Sequence, residues 1–334
     1  MKHFLALLFF ATLLFGEVTL KIASYNVENL FDLNKDGHEY VEYIPNTSAN
    51  WNATTYKKKL QNISKVIKEL DADIIALTEI ESLQALKDLK YELKRRDLYY
   101  NYYKIADRKN TTVKVALLSK KPFVYAKEIA VTSSYKYRNI LEVKYKINGE
   151  EFYIFINHWK AKSGPESQRI ISAKALRKRV DEIGSDKNII LLGDFNSDYE
   201  ESEKFQKVRR LNDTDGKSGI NHILKTLYQK QKANETTYVK DALYNLWYDA
   251  PKSERYTHVF RGKGEALDNI IISQSLLNEE GMFYKKESIQ ALRSDYLFKK
   301  KRINRWQMSR KKPRKHKGDG YSDHLPLMAQ FIVK

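Results

Sequence analysis

Six times along this chain a short apolar run leads into an acid, an amide or a histidine, and no other feature constrains the fold so strongly. The residues are Asn26, Glu79, Asn157 with His158, Asp194 with Asn196, Asp268 with Asn269, and Asp323 with His324. Lys21 to Val27 alternates as a strand does, while Ile74 to Leu77, Val113 to Leu118 and Ile189 to Leu192 read as short strands. Ile140 to Ile147 and Glu151 to Ile156 flank Asn148 and Gly149, the pair best suited to the positive backbone angles of a two-residue hairpin turn. Tyr256 to Phe260 and Leu267 to Ile272 give two further strands joined by a glycine-containing loop, and Leu325 to Val333 gives the last. Three amphipathic helices are interspersed. Leu60, Ile63, Val66, Ile67 and Leu70 share one stripe, Leu83, Leu86, Leu89 and Leu93 a second, and Ile170, Ala173, Leu176, Val180 and Ile183 a third that stops at Gly184. Such a mixture predicts two packed sheets covered by helices.

Strand ends on one sheet edge converge in space, so the six polar positions can build a site on rigid supports. Each alone has an ordinary role: an amide stabilises a turn, Glu79 caps a helix, and Asp194 to Asn196 turns the chain. Recurrence at strand exits is what points to a site. Carboxylate and amide oxygens are hard donors that suit Mg2+, Mn2+ or Ca2+, whereas zinc favours clustered histidines or cysteines. His158 and His324 add imidazoles able to move protons near neutral pH. The absence of cysteine excludes disulfides and thiolate metal sites.

Sixty lysines and arginines against 42 acids give a formal charge of +18, which favours an anionic partner. Eleven of those cations fall between Lys299 and Lys317 with no acid among them, interleaved with Trp306 and Met308 and running into Ser322, Asp323 and His324. A basic loop at 299–317 is therefore expected to contact substrate, the alternative being a solvated charge run. Met1 to His3 followed by an uncharged run to Phe15 reads as an export signal over residues 1–16. The run is shorter than the roughly 20 apolar residues of a membrane span. A secreted or periplasmic location is expected, with an uncleaved anchor as the alternative and no span after cleavage. No low-complexity linker divides residues 17–334, which read as one domain.

The strings ASYNVENLFD from Ala23, ALTEIE from Ala76, INHWKAKSG from Ile156, LLGDFNSD from Leu191, ALDNIIIS from Ala266 and GYSDHLPL from Gly320 resemble the endonuclease/exonuclease/phosphatase superfamily of deoxyribonuclease I and exonuclease III. The resemblance implies a four-layer α/β/β/α sandwich of two mixed sheets flanked by helices. It implies that Asn26 and Glu79 bind a divalent cation, Mg2+ foremost, with Asp323 near it. It further implies that Asp194 and Asn196 orient the attacking water and hold the phosphate, that His158 contacts or protonates the phosphate, and that Asp268 fixes His324 for proton transfer. Arg138 sits where the family often has a phosphate-contacting arginine. The activity implied is hydrolysis of a phosphodiester, with nucleic acid as substrate, DNA ahead of RNA, and no protein partner. The alternatives are a sphingomyelin-like phospholipid phosphodiesterase or inositol-phosphate phosphatase, and a non-catalytic binding protein of the same fold.

Overall fold

The computed structural model describes residues 16–184, 186–226 and 241–334, so residues 1–15 of the segment read as an export signal lie outside the described residues. The chain begins with β1 (Val18–Leu30), α1 (Ala53–Leu70), β2 (Ile74–Ile80), α2 (Leu83–Lys94), β3 (Tyr102–Ile105) and β4 (Lys114–Ser119). It continues through β5 (Tyr125–Ile129), β6 (Ile140–Ile147), β7 (Glu150–His158), α3 (Glu166–Ile183), β8 (Asn188–Asp194) and the short α4 (Glu201–Lys204). The last third is β9 (Leu243–Asn245), β10 (His258–Phe260), β11 (Lys263–Glu265), β12 (Asp268–Ser273), β13 (Met282–Tyr284), β14 (Gln290–Ala291), β15 (Phe298–Lys299), β16 (Arg302–Ile303) and β17 (Leu327–Val333).

Two mixed sheets form. One has the order β13-β17-β1-β2-β4-β3, with β14 also on β17, and the other β5-β6-β7-β8-β12-β9. Each contains one parallel pair, β1 with β2 and β7 with β8, and each pair is bridged by a long helix, α1 or α3. That βαβ arrangement explains why β2 and β8 read as continuous apolar runs, since both of their faces are covered. Between the sheets lies a core that includes Ile22, Ile74, Val143, Ile154, Ile190 and Ile270. Opposite-face residues such as Tyr25, Ile75 and Leu118 pack under α1 and α2, and Phe155, Leu191 and Ile271 pack under α3. The expected α/β/β/α sandwich is thus present.

Local chemistry sets the helix limits. Asn52 accepts from Thr54 and Thr55 backbone N–H groups and starts α1 three residues before Tyr56, and the Ser82 hydroxyl starts α2 by accepting from Ala85. Asn148 and Gly149, at φ 50° and 89°, make the β6–β7 hairpin turn predicted for them. The strand predicted at Tyr256 to Phe260 needs correction. Only His258 to Phe260 are extended, and they pair with Lys263 to Glu265, so the glycine loop contains a third strand and a small hairpin of its own.

Candidate active site

The carboxyl ends of the two parallel pairs meet at one edge of the sandwich, where open α/β sheets place ligands. Three site residues lie on one rung of the second sheet: His158 is in register with Asp194 across β7–β8, and Asp194 with Asp268 across β8–β12. Gly193 makes this rung possible. A Cβ there would lie 2.1 Å from the Asn157 carbonyl oxygen, so only glycine fits next to β7 at φ 128°.

Asn26 and Glu79 approach from the first sheet. The Asn26 amide nitrogen donates to Glu79 Oε1 at 3.1 Å and to Asp194 Oδ2 at 3.0 Å, while its oxygen accepts from the Glu28 N–H at 2.9 Å. Glu79 falls inside β2 rather than beyond its end, at φ 66° with a register irregularity beside it. Asn196 is also left-handed, at φ 47°. Strained backbone of this kind is uncommon for non-glycine residues and clusters where side chains are held for chemistry. Asn196 is tied down by its own N–H on Asp194 Oδ1 at 2.9 Å and by its side-chain amide on the Trp159 carbonyl at 3.2 Å.

The two histidines face each other with opposite electrostatics. His324 Nδ1 lies 2.7 Å from Asp268 Oδ2, which also accepts from the Thr257 hydroxyl at 2.6 Å, and the His324 N–H is bound by Ser322 Oγ at 3.1 Å. Burial opposes charge on His324, but the Asp268 carboxylate outweighs it, helped by Asp194 and Asp323, and holds the imidazolium well above the ordinary 6.5. His158 has no hydrogen-bond partner in the protein at Nδ1, and its Nε2 stands 3.7 Å from Asp194 and 3.9 Å from Glu79. Burial, then the positive charges of Arg138, His324 and Lys160, push it well below 6.5. Burial also raises the carboxyls, Asp194 to about 7 and Glu79 upward with Asp323 adding repulsion. Asp323 goes the other way: burial raises it, yet His324 and Arg305 hold it below the usual range.

These groups open into a cavity of 970 Å³ lined by Glu79, Arg138, His158, Asp194, Asn196, Asp323 and His324 at one end. Arg138 donates from Nε to the Val113 carbonyl at 3.2 Å and lines the wall beside Tyr40. The other wall is formed by Lys160 to Ser163, in a loop whose carbonyls at Lys160, Ala161 and the following Gly164 are held by the fully buried Arg169. Asn157 and Asn269, the two remaining strand-end amides, do not reach the cavity. Asn157 bonds Phe155 and Trp159, and Asn269 bonds the carbonyls of Ser197, Ala266 and Leu267. Sequence reasoning missed Tyr40, Thr257 and the β10–β11 hairpin as parts of the site. Only the Lys-Ala-Lys inside the INHWKAKSG string signalled the loop.

The basic segment is anchored beside the cavity, and none of residues 299–317 lines it. Trp306 is buried with its N–H on Glu28 Oε2 at 2.9 Å, and its indole donates to His316 Nδ1 at 2.8 Å. Arg305 bridges Glu28 and Asp323, reaching the latter at 3.0 Å. The segment therefore braces Asp323 from behind, with most of its cations turned to solvent.

Residues 21–333 match the Endonuclease/Exonuclease/phosphatase family, and the chain belongs to that family, whose members are hydrolases acting on phosphoester bonds. No curated protein matches the sequence. Among solved structures, an endonuclease/exonuclease/phosphatase family protein from Bacteroides thetaiotaomicron has a TM-score of 0.58 at 17% identity, covering 96% of this chain and 100% of that one. D. rerio TDP2 complexed with single strand DNA product has 0.58 at 13%, covering 94% and 98%. The mannosyl-6-phosphatase of Bacteroides thetaiotaomicron VPI-5482 has 0.56 at 16%, covering 93% and 99%. These likenesses establish a shared fold.

Proposed function

We propose that the protein is a divalent-metal-dependent phosphodiester hydrolase, an exported nuclease with DNA as its first substrate. The observation that carries this reading is the pairing of a histidine held as imidazolium by Asp268 with a buried carboxylate cluster across a cation-walled cavity. Donor atoms of Glu79, His158 and Asp194 lie within 4.8 Å of one another, as do those of Asp194, Asp268 and His324. Burial, with Asp323 repelling Glu79 and Asp268 repelling Asp194, raises both carboxyls, an arrangement that a hard cation relieves. The fit is to Mg2+, with Mn2+ or Ca2+ served by the same oxygens, held by Glu79 with Asp323 and Asn26 close by. As arranged, Asn26 presents nitrogen to both carboxylates, so its oxygen would ligate only after the amide turns over.

A bound cation supplies charge neutralisation at a phosphoryl oxygen. The chain supplies the rest. Asp194 and Asn196 orient a water for in-line attack, His158 contacts the phosphate as a neutral imidazole, and Arg138 and Lys160 hold its remaining oxygens. His324, protonated and oriented by Asp268 and Thr257, presents its other ring nitrogen to the developing charge. The excess of positive charge and the DNA bound by a protein of the same fold favour a nucleic acid over a phospholipid. Export rests on residues 1–16 as a signal; no helix among the described residues is long and apolar enough to cross a membrane.

The test is incubation of the mature protein, residues 17–334, with single-stranded DNA, plasmid, RNA and sphingomyelin vesicles, each with Mg2+ and with chelator. Chelator-sensitive DNA cleavage is expected. Cleavage of sphingomyelin alone removes the nuclease reading and leaves the hydrolase; no cleavage of any phosphoester removes both.

A further inference from the structure

The β10–β11 hairpin pairs Phe260 with Lys263 across a tight turn at Arg261 and Gly262, whose φ values of 50° and 81° suit a two-residue connection. Its root is fastened to the catalytic machinery. Thr257 bonds Asp268, His258 makes a backbone bridge with His324 and lays its ring 5.0 Å from it, and His258 Nδ1 is held 3.1 Å from Glu265. The turn residues Arg261 and Gly262 are exposed to solvent. Phe260 is 50% exposed, lines the cavity that holds the histidines, and carries the Arg261 guanidinium 5.2 Å from its ring centre. The cavity is also lined by the apolar side chains of Phe205, Val208, Leu211 and Leu267.

Among the described residues, Phe260 and Tyr40 are the large apolar side chains that are both exposed and part of this cavity's lining. An isolated phenylalanine flanked by Arg261 and Lys263 is not the contiguous apolar surface that a lipid-inserting element presents. An aromatic face among cations, next to a site for phosphate, is what binds an unpaired base whose own phosphates need neutralising. No carboxylate forms an ion pair with Lys160, Arg261 or Lys263 among the described residues, so their charges are free for an anionic ligand. A cavity of 970 Å³ holds a nucleoside with space to spare.

From this geometry we infer that Phe260 is a base-stacking platform for the nucleotide next to the scissile phosphate, with Lys263 on the flanking phosphate. The inference rests on the nuclease reading and adds to it a preference for unpaired strands, since a base laid on the Phe260 ring inside the cavity has left its partner. Phe260 would contribute binding for the base and nothing to bond cleavage itself.

The experiment compares an oligothymidylate with an abasic oligomer of the same length carrying tetrahydrofuran residues, using the full mature protein with Mg2+. Wild type is expected to prefer the oligothymidylate by about tenfold in kcat/KM, the scale of one base–aromatic stack. Phe260→Ala should erase that preference and Phe260→Trp restore it. Because Phe260 is half exposed, both variants should fold, which equal melting temperatures would confirm. The inference is overturned, with the nuclease reading intact, if wild type shows no preference or if Phe260→Ala keeps it. Hydrolysis of sphingomyelin vesicles alone overturns both.

Discussion

His158 and His324 occupy the same cleft, are nearly equally buried, and are pushed in opposite directions. What separates them is one carboxylate. His324 has Asp268 at 2.7 Å, itself fixed by Thr257, whereas His158 finds no partner for Nδ1 and is surrounded by Arg138, Lys160 and His324. Burial alone would neutralise both rings, and the acid reverses that for one of them. Two identical side chains thereby acquire two charges, the condition for assigning separate acid–base roles.

The strongest way to break this contrast is to delete each ring. His324→Ala should lower kcat by about a thousandfold on a phosphodiester substrate, with the melting temperature little changed. His158→Asn, removing a neutral contact to phosphate, should cost about a hundredfold. Equal losses, or a larger loss at position 158, would mean that the difference in charge has no bearing on turnover. Asp268→Asn sharpens the comparison. The protonated form of His324 is lost as pH rises through its elevated pKa, so the wild-type rate should fall on the alkaline side. With Asp268→Asn that limb should move down towards 6.5, read from kcat against pH. An unmoved limb would assign it to another group. Histidine NMR titration should show His158 still neutral below pH 6.5 in the same protein.

A third buried histidine provides the control. His316 accepts from Trp306 at Nδ1 and lies 2.8 Å from the Glu42 carbonyl at Nε2, so neither ring nitrogen is held by a carboxylate. Burial pushes it down to about 4. Its folded pKa lies below the unfolded value, so the stability it confers is complete above pH 6.5 and is lost as pH falls from there through 4. That loss should approach about 3 kcal/mol. His316→Gln should flatten the acid limb of stability, measured by urea unfolding at successive pH values, while leaving the kcat profile in place.

The sequence made the layers legible because the buried strands of β1, β2, β7, β8 and β12 are apolar enough to stand out, and the helices carry clean stripes. Short edge strands such as β5, half-buried throughout, offer no such contrast. Of the candidate residues, Asn26, Glu79, His158, Asp194, Asn196, Asp268, Asp323 and His324 converge, as does Arg138. Asn157 and Asn269 are indistinguishable from them in sequence yet satisfy backbone groups instead. Which way an amide at a strand end turns depends on neighbours distant in the chain, and sequence gives no access to that. The charge of residues 299–317 was equally plain, but the chain buries Trp306 and His316 within it, so a run that looks free is pinned.

The rung formed by His158, Asp194 and Asp268 sets limits on how this protein can diverge. Inserting or deleting one residue within β8 would turn Asp194 towards the α3 face, because successive strand side chains alternate. Length changes are therefore confined to connections, and the hairpin rooted at His258 is a part that can be rebuilt at its tip while the three-residue row stays intact. New substrates would be reached by lengthening turns, and the spacing of the chemistry would be inherited unchanged.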